Sequence, residues 1–125
     1  MPRHVVCYEG KHVFPGVFLE RNAVVVKKER YPVIINFEAG EIVGVAKDFQ
    51  RNEETGELSF DVRFRDEGLA MILKDAEFSC TTRIIIESRV GDDRHINEAE
   101  LMSVHAVITG ANPRFTSGAP VSSHI

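Results

Sequence analysis

Hydrophobic and polar positions alternate along most of the chain, in short runs broken by turn-forming residues. His4 to Tyr8, Val13 to Leu19 and Ala23 to Val26 are rich in β-branched or aromatic residues and are punctuated by Gly10, Pro15-Gly16 and Asn22. That pattern predicts strands joined by turns. Tyr31 to Phe37 and Glu41 to Phe49 repeat it on either side of Ala39-Gly40. The polar run Arg51 to Gly56 reads as a hairpin turn, with Gly56 able to take the left-handed conformation that closes such a loop. Leu58, Phe60, Val62 and Phe64 then alternate with Ser59, Asp61, Arg63 and Arg65, the clearest half-buried strand of the sequence.

The period changes once. Leu69, Ile72 and Leu73 recur at helical spacing with Met71 alongside, and Asp66-Glu67 supplies an acidic start, so one short helix is predicted within Asp66 to Ala76 despite Gly68. Strands resume over Phe78 to Glu87, turn at Gly91-Asp92-Asp93 and finish with Ala99 to Thr109. Strict alternation there puts Leu101, Ser103 and His105 on one face and Met102, Val104 and Ala106 on the other. The expected fold is mainly β (α+β): a small, mostly antiparallel domain with one short helix over residues 1–113. Arg114 to Ile125 lacks periodicity and reads as an extended C-terminal tail, loose or laid on a neighbour.

Composition narrows the class. A chain of 125 residues with 43% hydrophobic and 27% charged positions suits one soluble domain rather than a disordered or membrane protein. Its longest apolar runs fall far short of the roughly 20 residues that span a bilayer. Met1 to Cys7 lacks the features of a secretory signal, so synthesis in the cytoplasm and reduced thiols at Cys7 and Cys80 are expected. A net charge of -4, with basic residues scattered among acidic ones, argues against nucleic-acid partners. The basic cluster Lys27-Lys28-Glu29-Arg30 is read as a solvated strand end rather than an anion site.

Candidate chemistry is sparse. His4, His12, His95, His105 and His124 are dispersed, no zinc or phosphate-loop spacing occurs, and the EF-hand register is missing. No metal or cofactor is expected. Glu53-Glu54, Asp66-Glu67, Asp92-Asp93 and Glu98 with Glu100 sit in predicted turns or on outward faces, where carboxylates belong by default. Ser79, at the start of an apolar strand, reads from its surroundings as an ordinary sheet serine.

The order of several segments carries more. Pro32-Val33-Ile34-Ile35-Asn36 forms an extended strand, Ile42-Val43-Gly44-Val45 the next, and Thr55-Gly56-Glu57-Leu58 leads into a third. The predicted helix, then Phe78-Ser79, follow. The chain then runs from Ile96 through Ala99, Leu101 and Val104 to Ala111-Asn112-Pro113. Over about a hundred residues this order resembles the head-maturation (prohead) proteases of tailed bacteriophages, whose fold is related to the herpesvirus assembly proteases. The closing segment is the most specific part of the match.

That resemblance implies a β-barrel-like domain and places Ser79 at the family's nucleophile. It also places Phe37 where the family has the histidine that serves as general base. Phenylalanine can neither accept a proton nor stabilise a developing charge, so the resemblance implies a protease fold without its base. The expectation is a non-enzymatic capsid decoration or cement protein. It would be made in the host cytoplasm, reside on the virion surface, bind the major capsid protein, and act as a homo-oligomer, with a trimer suiting a threefold position. Met1 to Gly10 and Arg114 to Ile125 are the expected arms. Two other readings stand beside it: a serine protease using Ser79 with His105 as a displaced base, and a cytosolic β domain binding an unrelated partner.

Overall fold

The longest strand, near the C-terminal end, organises the molecule. The computed structural model describes residues 3–35 and 41–107. Phe37, the predicted turn at Ala39-Gly40, the Asn112-Pro113 ending and the 114–125 tail lie outside the described residues. The elements are β1 (His4–Tyr8), β2 (Lys11–Phe14), β3 (Val17–Leu19), β4 (Val24–Val25) and β5 (Arg30–Ile35). They continue as β6 (Ile42–Arg51), β7 (Glu57–Phe64), α1 (Glu67–Leu73), β8 (Glu77–Val90) and β9 (Asp93–Val107).

The strands form one sheet in the order β1-β7-β6-β5-β9-β3-β2, with β4 and β8 also pairing with β9. Because β1 lies against β8, the sheet curls into a nearly closed barrel. Most pairings are antiparallel, as the short turns predict, but one flank of β9 is different. β3, β4 and β5 run beside it in succession and in parallel, through Val17 opposite Arg94, Val24 opposite Ala99, and Val33 opposite Val104. Alternation along single segments carries no information about such long-range parallel partners.

Inward residues of all these strands meet in one core. Phe60 stacks on Phe49 at 5.5 Å and meets Phe78 edge-on at 5.2 Å, while Tyr31 caps Phe49 at 5.5 Å. This aromatic row crosses the barrel from β5 to β8, and full burial of each ring is worth about 1.5–3 kcal/mol. The Tyr31 hydroxyl also accepts the backbone N–H groups of Lys27 and Lys28, both at 2.8 Å, and so fixes the loop before β5.

Two glycines permit close backbone approach. A Cβ on Gly44 would stand 2.6 Å from the Arg63 carbonyl oxygen, so β6 and β7 can approach here only without a side chain. Gly56 has φ +81° and its missing Cβ would overlap the Glu9 carbonyl, which accounts for the turn foreseen at that residue.

The helix begins where its acidic start predicts, with Asp66 Oδ1 accepting the Leu69 N–H at 2.9 Å. It is shorter than its apolar pattern. Leu73 is buried and Leu69 half-buried, yet Ile72 is exposed, because a seven-residue helix resting on β7 covers only one narrow strip.

Strict alternation fails in β9. Ser103 stands opposite Thr81 and Leu101 opposite Thr82, so Met102 is an extra, bulged residue. Leu101 therefore joins Val104 and Ala106 in the core, whereas Ser103 and His105 stay on the other face and Met102 turns to solvent.

Candidate functional site

Pairing between β8 and β9 sets Ser79 directly opposite His105 and Thr81 directly opposite Ser103. Directly opposed residues of an antiparallel pair share a face, so the four make one polar ladder. His105 Nε2 lies 2.6 Å from Thr81 Oγ1 and 3.0 Å from Ser103 Oγ. Ser79 has 0% exposure and His105 5%. The register thus brings together the two residues named for the protease alternative, but inside the protein. His105 Nε2 lies against two hydroxyls of its own ladder. Phe37, the residue at the expected base position, is outside the described residues.

A second polar centre escaped the sequence analysis. Glu9 is fully buried and accepts Arg51 Nη2 at 3.0 Å, the Val24 N–H at 2.9 Å and the Asn22 N–H at 3.2 Å. Arg51 Nη2 also donates to the Val24 carbonyl at 2.7 Å. The carboxylate beside it raises the guanidinium pKa further. Nothing local announces this pair, since Glu9 lies between a strand and Gly10, where a carboxylate reads as surface.

The two cysteines sit where β1 passes β8. Both are buried and free, and a hydrogen bond with Cys80, together with burial, pushes the Cys7 thiol well up. A thiol kept protonated in this way is a poor nucleophile. Among the described residues no cluster of His, Cys, Asp or Glu is arranged to hold a metal ion, and no helix is long and apolar enough to cross a membrane.

The outer part of β8 is the most exposed apolar surface on the sheet. Among the described residues β8 hydrogen-bonds as a strand only with β9, and β1 lies against its first half, so along residues 84–90 the other edge has no ladder partner. Ile85 is 39% exposed, Ile86 51% and Val90 59%. Three successive isoleucines at 84–86 must send side chains to both faces of a strand, and this is the sequence signal for the exposure. Arg83 grips Glu100 at 2.6 Å across the pair and holds that carboxyl below its ordinary pKa. The turn end of the hairpin is pinned by His12 Nε2 on Asp93 Oδ2 at 2.9 Å and by His95 on Glu20, with Phe18 between the two imidazoles at 5.1 and 4.9 Å. The result is a braced two-stranded ribbon offering an unpaired edge and aliphatic side chains.

No family model, curated protein or solved structure matches this chain.

Proposed function

We propose that this protein is a non-enzymatic capsid decoration or cement protein of a tailed bacteriophage, built on a prohead-protease-like β domain. The observation that carries the binding role is the outer half of β8, where a strand edge without a neighbour among the described residues presents Ile85, Ile86 and Val90. Such an edge supplies main-chain donors and acceptors for a partner strand and aliphatic area for the contact. The partner is the major capsid protein. The protein acts there as a homo-oligomer, a trimer matching a threefold position on the shell.

Two further points support this reading. The order of segments resembles that of the head proteases, with Phe37 in place of the base. Ser79, at the nucleophile's position, is wholly buried. The opposing serine protease reading draws on the pairing of Ser79 with His105. Burial weighs more, because a nucleophile must reach the scissile carbonyl before any base can help it.

Co-sedimentation with purified heads tests the proposal: saturable binding and greater resistance of the heads to heat are expected. Absence of association at saturating protein would overturn it. A phosphonate probe for activated serines is expected to leave the protein unlabelled. Labelling lost in Ser79→Ala would restore the protease.

A further inference from the structure

Arg30 and Lys47 are direct partners across the β5–β6 pair. Two cations facing each other at this spacing repel, and like charges directly opposite destabilise a sheet. Neither side chain has an ion-pair or hydrogen-bond partner among the described residues, and Lys28, two residues before Arg30, has no side-chain partner there either. All three line one groove of about 890 Å3, which lies between the 24–30 segment and the end of β6.

The carboxylates around the groove offset these cations only in part. Asp48 and Asp61 both face Arg3, at 3.5 and 3.6 Å, and Glu9 is occupied by Arg51. One arginine leaves one of the two aspartates unmatched, so with Glu29 two negative charges stand against Lys28, Arg30 and Lys47, and Asp61 is itself the direct partner of Lys47 on β7. The chain as a whole carries a net charge of -4, so this cationic groove runs against its overall sign.

The shape of the groove indicates the kind of anion. β5 begins at Arg30, opposite Lys47, so Asp48 to Arg51 extend past it with a strand neighbour only on the β7 side. Among the described residues β4, across the gap, pairs only with β9. The groove therefore follows an interruption of the sheet that Glu9 and Arg51 bridge at Val24, with Val25, Val26 and Phe49 in its walls beside the charged rim. A dense polyanion would meet Glu29 and the apolar walls unfavourably. An extended chain with carboxylates spaced by aliphatic residues matches both features. The 108–125 segment of this chain contains no Asp or Glu, so it does not supply that chemistry.

We infer that the groove binds an acidic, extended peptide segment of another protein, with a carboxylate seated between Arg30 and Lys47. This inference does not depend on the capsid reading, because it uses a different surface and requires no phage head. Lys28 and Arg30, which the sequence presents as part of a solvated basic cluster, join Lys47 in this site.

Fluorescence anisotropy with a labelled (Glu-Val)4 peptide tests it. Saturable binding that weakens as salt rises is expected, with at least a tenfold loss in Arg30→Gln/Lys47→Gln. That double variant is expected to stay folded with a cooperative melt, since it removes the Arg30–Lys47 repulsion together with the Lys47–Asp61 attraction, and Lys28→Gln is expected to weaken binding less. Four results would overturn the inference: no binding at millimolar peptide, equal binding by the double variant, equal binding of (Gln-Val)4, or displacement by tripolyphosphate as effective as by unlabelled peptide.

Discussion

Glu9 and Arg51 together act as a substitute for a missing strand. Among the described residues Val24 has a strand, β9, on one side only, and its N–H and C=O on the other side are taken by Glu9 Oε2 and Arg51 Nη2, at 2.9 and 2.7 Å. The two side chains also bond each other, so the carboxylate, the guanidinium and the peptide groups of Val24 form a closed polar circuit at the base of the groove. Each member satisfies another that burial would otherwise penalise.

Removing one member should therefore cost more than an ordinary surface substitution. Arg51→Met is expected to destabilise the protein by about 3–5 kcal/mol, because it leaves the buried Glu9 carboxylate and the Val24 carbonyl without their cation. Arg51→Lys should fall between the two, since one ammonium cannot reproduce the forked contacts. Urea denaturation at neutral pH measures the difference. A midpoint for Arg51→Met close to that of the native protein would refute the circuit's role.

Gly56 and Gly91 offer a matched pair, both in the left-handed region with φ of +81° and +62°. Nothing lies within 4 Å of the position a Cβ would take on Gly91, whereas on Gly56 it would overlap the Glu9 carbonyl. Gly91→Ala is expected to cost about 1–2 kcal/mol from backbone strain alone. Gly56→Ala should cost at least another 1–3 kcal/mol for the forced shift of the Glu9 backbone. Equal melting temperatures for the two variants would contradict the packing of β1 against the 52–56 turn.

How far the sequence reveals this structure depends on the range of the contact. His4–Tyr8, the alternating strand through Phe64, the Asp66 cap and the Gly56 turn were legible because each rests on neighbours a few residues away. The parallel partners of β9 were not, because Val17, Val24 and Val33 find it 71 to 77 residues further along the chain. The Met102 bulge is a one-residue offset that alternation alone cannot register. Ser79 and His105 were both singled out, but their burial depends on how the barrel closes. Lys28 and Arg30 are exposed at the start of β5, as their cluster reads, but the placing of Lys47 opposite Arg30 depends on the β5–β6 register.

His4 gives a pH test of the core. Its ring packs against Phe78 at 4.6 Å, and burial lowers its pKa below the ordinary histidine value, with Asp61 pulling weakly the other way. The unfolded chain therefore holds more protons than the folded one as pH falls below the ordinary histidine value. This part of the stability is complete above that value and is lost as pH falls through the folded pKa. His4→Gln should flatten the loss of stability between pH 7.5 and 5.5, groups common to both proteins cancelling in the comparison. Urea midpoints at the two pH values check it, and an equal or steeper loss in the variant would count against the assignment.

Ile86 separates binding from folding. At 51% exposure it contributes little to the core, and it sits on the outer half of β8, where the edge away from β9 has no ladder partner among the described residues. Ile86→Lys should change stability by no more than about 0.5 kcal/mol, as most surface substitutions do. A lysine on an open strand edge opposes the approach of another strand, since the incoming chain must desolvate the charge. If this edge is the capsid contact, Ile86→Lys should reduce association with heads by at least tenfold while circular dichroism and melting temperature stay unchanged. Val90→Lys, further along the same strand, should act in the same direction. Full head binding by both variants would move the contact to another face of the molecule.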